Sequence, residues 1–155
     1  INPKFIEAAY GAGVSCSAVG EYQRAIDWFN KTIELAPKYQ DAYISRGISY
    51  ARLNMLQEAI DSTLEALKLN PENIKAQINL AAFLEKNGNL EHAEQILIKV
   101  LSTCPEEARA NHNLGVIYEK LGRLSKAIEH YTIASKSNPL NKRWNIDLEN
   151  AIRKK

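Results

Sequence analysis

Three histidines, two cysteines and eighteen carboxylates are the residues of this 155-residue chain that could make or break a bond or hold a metal ion. His92, His112 and His130 fall on different helices or faces of the pattern described below, and no Cys/His pair has zinc spacing. Cys16 falls on the apolar face of a helix, where a thiol behaves as a small hydrophobe. Cys104 stands in a loop before Pro105, and no histidine lies near it on a matching face to activate it. Both read as free thiols, which suits a reducing compartment. No glycine-rich phosphate loop follows a strand. Glu91 and the pair Glu106-Glu107 read as first-turn acids that favour a helix dipole. No catalytic residue, metal ligand or cofactor is expected. What remains is the chemistry of recognition: charges, amides and apolar groups carried along helices.

Those helices are set by a fixed grid. All five prolines, Pro3, Pro37, Pro71, Pro105 and Pro139, are 34 residues apart. A fixed period of roughly 20–50 residues marks a stacked-repeat protein. The grid gives a remnant at 1–5, then copies at 6–39, 40–73, 74–107 and 108–141, then a last segment at 142–155. Apolar residues recur three and four apart, as in Leu114, Ile117, Tyr118 and Leu121, so each copy reads as two amphipathic helices. The first copy places them near 5–19 and 21–35, and the later copies repeat that division. Gly20, Asn54, Gly88 and Gly122 separate the two helices of each copy. Gly and Asn best tolerate the left-handed backbone that ends a helix. Proline suits the first turn of the helix that follows. Gly13, Gly47, Ala81 and Gly115 form one small-residue slot, and Ala25, Ala59, Ala93 and Ala127 another. Small groups on both helices let the backbones pack closely, and a large side chain in either slot should push them apart.

Composition is ordinary, with 45% hydrophobic residues and a net charge of +2. The charge is unevenly spread. Residues 6–107 carry nine Lys/Arg and fourteen Asp/Glu, while residues 108–155 carry ten and four. One end is therefore basic, read either as a solvated charged end or as a surface for an acidic partner. No apolar run approaches the roughly 18–20 residues a membrane helix needs. The chain starts in the middle of a repeat and reads as a piece of a longer protein, intracellular and cytoplasmic. In residues 142–155, Trp144, Leu148, Ala151 and Ile152 form one apolar stripe. Two readings stand for it: a helix that caps the array with a polar outer face, or the first helix of a fifth repeat.

These residues resemble the tetratricopeptide repeat over nearly the whole chain. The fourth copy, N-L-G-V-I-Y…G…A-I…Y…A…P, lies near the consensus. The resemblance implies an all-α fold, a right-handed superhelical solenoid of four helix-turn-helix hairpins plus a C-terminal capping helix. The sequence departs from the pattern in several places. Ala9, Tyr43, Gln77 and Asn111 replace an early tryptophan, Arg46 stands where Leu80 and Leu114 are apolar, and Thr63 stands where Phe29 is aromatic. Looser packing of the second copy is expected.

In this family the first helix of each pair lines a concave groove that grips a peptide or a partner helix. Carried over, the groove residues are Tyr10, Val14, Ile44, Ile48, Lys75, Asn79, Lys86, Arg109, His112, Asn113 and Lys120, with Glu7 and Asp41 in further groove-facing slots and Arg143 on the last helix. Its first half is apolar and partly acidic and its second half polar and basic. The expected partner is a protein segment with apolar anchors toward one end and an acidic residue or free carboxylate toward the other. Asn79 and Asn113 resemble part of the asparagine ladder of sugar-transferase arrays, which Gly11 and Ser45 interrupt. The match to the chaperone-binding carboxylate clamp stops at Asn79 and Arg109, which argues against heat-shock chaperone tails as the ligand. The function implied is a protein-interaction scaffold that forms a segment of a larger protein. The alternatives are a substrate-holding module of a larger enzyme and a self-associating array. Nucleic acid would need stacking aromatics beside the basic charge, and Trp144 is assigned to the cap instead. Gly11, outside the repeat pattern, reads either as a place for a ligand backbone or as drift.

Overall fold

The computed structural model describes residues 3–155. Ile1 and Asn2, the start of the expected remnant, lie outside the described residues. Among those described, the chain forms nine helices and no strand: α1 (Pro3–Ala18), α2 (Tyr22–Leu35), α3 (Gln40–Arg52), α4 (Leu56–Leu69), α5 (Ile74–Lys86), α6 (Leu90–Thr103), α7 (Ala108–Lys120), α8 (Leu124–Ser137) and α9 (Lys142–Lys154). Each expected helix end holds to within two residues, and residues 3–5 of the expected remnant are part of α1. The chain divides into two compact units, Ile1–Asn87 and Gly88–Lys155. The first two copies lie in the first unit. The fourth copy and α9 lie in the second, and the third copy gives α5 to one and α6 to the other.

The turn slot behaves as its chemistry requires. Gly20, Gly88 and Gly122 have φ of 84°, 86° and 71°, and Asn54 has 61°. The residue after the left-handed position then donates back across the helix end: Glu21 to the Cys16 carbonyl, Met55 to Tyr50 and Arg123 to Tyr118, at 2.9, 3.0 and 2.8 Å. These bonds satisfy carbonyls that would otherwise lack a donor.

The proline reading needs correction. Pro3 is the first residue of α1, but Pro37, Pro71, Pro105 and Pro139 precede their helices by three residues. What they supply is a carbonyl. Tyr43 Oη, Gln77 Nε2, Asn111 Nδ2 and Asn145 Nδ2 donate to the carbonyls of Pro37, Pro71, Pro105 and Pro139 at 3.0, 2.7, 2.8 and 3.0 Å. These donors occupy the slot of the family's early tryptophan and lie 34 apart. The apparent departure is a repeated latch between a helix and the turn before it.

In the first unit, α1 pairs with α2, α3 with α4, α2 packs on α3, and α4 on α5. A Cβ at Gly13 would come within 2.5 Å of the buried Phe29 ring, and one at Gly47 within 2.7 Å of Thr63 Oγ1. The second copy substitutes hydrogen bonds for apolar contact. Thr63 is 1% exposed and donates to the Ala59 carbonyl at 2.8 Å. Arg46 donates through Nε to Ser62 Oγ and through a terminal nitrogen to Asn30 Oδ1, at 2.9 and 2.8 Å, and lies over the Tyr43 ring. Polar atoms that find partners inside a fold avoid the cost of an unsatisfied buried donor or acceptor.

In the second unit, α7 pairs with α8, α6 packs on α7, and α8 on α9. A Cβ at Gly115 would meet the Tyr131 ring at 2.5 Å. Asn111 is 1% exposed. Its amide nitrogen donates to the carbonyls of Pro105 and Glu107, so its oxygen accepts from His130 Nδ1 at 2.9 Å. In α9, Asn141 caps the helix by accepting from the Trp144 amide. Ala151 is buried, and Trp144 and Leu148 are half-buried. Ile152 is 55% exposed and leaves the expected stripe. It lies about 80° round the helix from Trp144, past the edge of the buried face.

Candidate functional site

One geometric rule sorts the expected groove residues. Neighbouring slots of a copy do not face the same way, and exposure follows the slot. In the slot of Tyr10, Ile44, Ile78 and His112, the last three are 2%, 2% and 8% exposed. This slot lies against neighbouring helices. In the slot of Glu7, Asp41, Lys75 and Arg109 every side chain is exposed, as are Lys86 and Lys120 three turns further on. Between them, the slot of Val14, Ile48, Ala82 and Val116 is exposed or half-buried throughout.

The structure therefore divides the residues expected in the groove. Val14, Lys75, Lys86, Arg109 and Lys120 are exposed, and Tyr10, Ile48 and Asn113 half-buried. Ile44, Asn79 and His112 are not on the surface. Ile44 forms a core cluster with Ala66 and Ala76, against which Tyr43, Ile48 and Leu67 pack. Asn79 is 6% exposed. An ordinary helical stripe is wide enough to include both the open slot and the buried one beside it, which is why the sequence pattern alone did not separate them.

In the first unit, α1 touches α3 directly. Tyr10 Oη and Ser45 Oγ are 3.2 Å apart. The Tyr10 ring lies 5.8 Å from Phe29 and 5.0 Å from Tyr39, tilted to both. One turn along, Val14, Ser17, Ala18, Phe29, Ser45 and Ile48 line an open cleft of about 270 Å³. Burial pushes the Tyr39 phenol up, helped by the negative fields of Tyr10, Asp41 and Glu7, so it stays protonated.

In the second unit, α7 and α9 form a polar cleft of about 460 Å³ that includes Val116, Lys120, Arg143 and Lys154. His112 Nε2 donates to Asp147 Oδ2 at 2.9 Å. Its ring stacks on Trp144 at 5.1 Å and is tilted against Tyr131. His112 thus fastens α9, and it reaches the cleft only at the edge of a ring that is 8% exposed. Glu119 accepts from Lys154 Nζ at 2.6 Å and from Tyr131 Oη at 2.8 Å. The Lys154 bond, opposed by burial and aided by Tyr131, holds its carboxyl below the usual carboxylate range. Sequence reading missed Asp147, Glu119 and Lys154. A signal was available: Tyr10–Ser45, His112–Asp147 and Glu119–Lys154 are each 35 residues apart. One copy plus one residue is the register at which the first helices of successive pairs meet.

Cys16 and Cys104 are free thiols. Among the described residues no group of three or more His, Cys, Asp or Glu could hold a metal ion. No helix among them is long and apolar enough to cross a membrane.

Family models of the tetratricopeptide repeat match residues 6–39, 40–73 and 73–135. No curated protein sequence matches the chain. Among solved structures, a MamA fragment from Desulfovibrio magneticus RS-1 is similar at 24% identity and TM-score 0.82, over 96% of this chain and 85% of that one. A thermophilic repeat protein from Thermus thermophilus is similar at 20% identity and TM-score 0.84, over 98% and 84%. YrrB, described as a repeat protein with an unusual peptide-binding site, is similar at 21% identity and TM-score 0.72, over 94% and 75%.

Proposed function

We propose that this chain, which belongs to the tetratricopeptide repeat family, uses the open face of the first helix of each pair to hold a segment of a partner protein. That the chain is a protein-interaction scaffold follows from its family. The finer reading rests on one observation: the Val14/Ile48/Val116 slot keeps apolar side chains in contact with solvent in every pair where it can be followed. In the neighbouring slot, Ile44 and Ile78 are side chains of the same kind turned inside. An apolar group left in water on a supporting frame gains about 25 cal/mol per Å² when a partner covers it.

Each unit has its own character. The first offers an apolar cleft at Val14 and Ile48, with exposed Lys75 and Lys86 on α5. The second offers exposed Arg109, Lys120 and Arg143 beside Val116, a surface for an acidic segment. YrrB's described peptide-binding site agrees with a peptide ligand, though the likeness to it is one of fold. The test is substitution without unfolding. Val14→Asp, at an exposed position of the same cleft, and, separately, Arg109→Glu should each weaken partner binding tenfold or more at an unchanged melting temperature. Undiminished binding in both would overturn the reading.

A second reading has its own observation. Ala8 is exposed, whereas Ala42, Ala76 and Ala110 in the same slot are fully buried. Phe5 and Val19 on the same stretch of chain are 66% and 74% exposed. A second copy of the chain could cover that face of α1. Sedimentation over a concentration series tests this: an unchanging monomer excludes it.

A further inference from the structure

Resting on the peptide-holding reading just given, we propose that the first unit selects a partner segment carrying a lysine or arginine two positions away from an aliphatic residue. Two features of its face stand side by side. The first is a corner made of aromatic rings and carboxylates. Tyr10 and Tyr39 are half-buried with ring centroids 5.0 Å apart. Glu7 lies one turn before Tyr10 on α1, and Asp41 lies in the first turn of α3. Both are exposed. Both are near enough to act on the Tyr39 phenol, whose shift is led by burial and then includes the fields of Tyr10, Asp41 and Glu7.

Aromatic rings with two carboxylates beside them are complementary to a cation. An ammonium or guanidinium gains from the aromatic quadrupole and from the two negative charges together. An acidic side chain there would meet two like charges.

The second feature is the apolar cleft, open above Phe29 between Val14 and Ile48, about 270 Å³ in volume. Ser45 joins the two, lining the cleft while its hydroxyl meets Tyr10 Oη. Val14 lies four residues beyond Tyr10, about 6 Å along the helix axis. Alternate side chains of an extended chain point the same way and are about 6.6–7 Å apart. A segment running along α1 therefore places one side chain at the corner and the next-but-one in the cleft. Gly11 lies between them on α1, and a Cβ built on it would have nothing within 4 Å. Nothing there holds the segment's backbone away.

The probe is a random dodecapeptide library displayed on phage and selected on the whole chain. Enrichment of Lys or Arg two positions from Leu, Ile, Val or Met is expected. A synthetic peptide from that set should bind at least fivefold more weakly to the Glu7→Gln/Asp41→Asn double variant, and that difference should shrink at high salt. It should bind more weakly to Ile48→Asp as well. Enriched peptides without a base at that spacing overturn this inference. So does binding that depends on Ile48 and ignores both carboxylates. Either result leaves the peptide-holding reading standing. A library that yields no binder to either unit removes both.

Discussion

Gly13 and Gly115 each face an aromatic ring that cannot retreat, because Phe29 and Tyr131 are both 1% exposed. Gly13→Ala and Gly115→Ala should therefore cost about 1–3 kcal/mol through overpacking, read as lower urea midpoints. Gly11→Ala is the control. It meets open space at an exposed helical position, so it should stabilise by about 0.5–1 kcal/mol. If it also leaves peptide binding intact, Gly11 is drift, not a ligand contact. The slot, not the residue type, decides the sign, and the 34-residue grid was enough to identify the slot. His130 is a different case. Burial pulls its imidazole below the ordinary value near 6.5, with Glu129 opposing and Lys126 assisting. A lowered histidine means the unfolded chain binds the proton more readily. Its contribution is complete above about pH 6.5 and fades as pH falls toward the lowered value. The melting temperature should fall between about pH 7 and pH 5, and by less in His130→Gln. Equal slopes would show that the imidazole does not contribute. Nothing in the sequence marked His130, because its partner Asn111 occupies a slot read as a missing tryptophan.

α9 illustrates what the sequence could and could not convey about an element. Its amphipathic pattern was plain, and its N-cap Asn141 sits on the same grid as Asn73, which caps α5. Its attachment was not plain, since it depends on pairs 35 residues apart, His112–Asp147 and Glu119–Lys154. Periodicity at 34 aligns equivalent positions and is silent on which positions touch. Trp144→Ala should cost about 2 kcal/mol, below the roughly 3–5 kcal/mol of a fully buried ring, because Trp144 is half-buried. Amide exchange in α9 should rise with it. Lys154→Met should cost under about 1 kcal/mol, since that side chain is 60% exposed and water screens the pair. Glu119 contributes above the ordinary carboxylate range, and its share is lost as pH falls through its lowered value. Between the two readings of 142–155, Glu149 favours the cap. It occupies the slot of Gly13, Gly47, Ala81 and Gly115, which holds nothing larger than alanine where a second helix packs on it. Glu149→Gly should leave stability within about 1 kcal/mol, because that helix face is exposed.

At the scale of the molecule, fold class was legible because every local signal agreed: turn residues, small slots and helical periods fall on one grid. The binding face was legible only in outline. Helical spacing narrowed it to a stripe, and the core position of Ile44 and the latch role of His112 depended on packing between copies. The competing position on a second helix is the slot of Leu64 and Ile98, which are 40% and 48% exposed on α4 and α6. The most direct test of the whole account takes a peptide selected on the intact chain and measures its affinity for two surface variants. Val14→Asp alters the open face of α1, and Leu64→Asp alters an equally exposed apolar position on α4. A loss of tenfold or more with Val14→Asp and none with Leu64→Asp, at equal melting temperatures, is the predicted result. The reverse pattern would place recognition on the second helices and contradict the account.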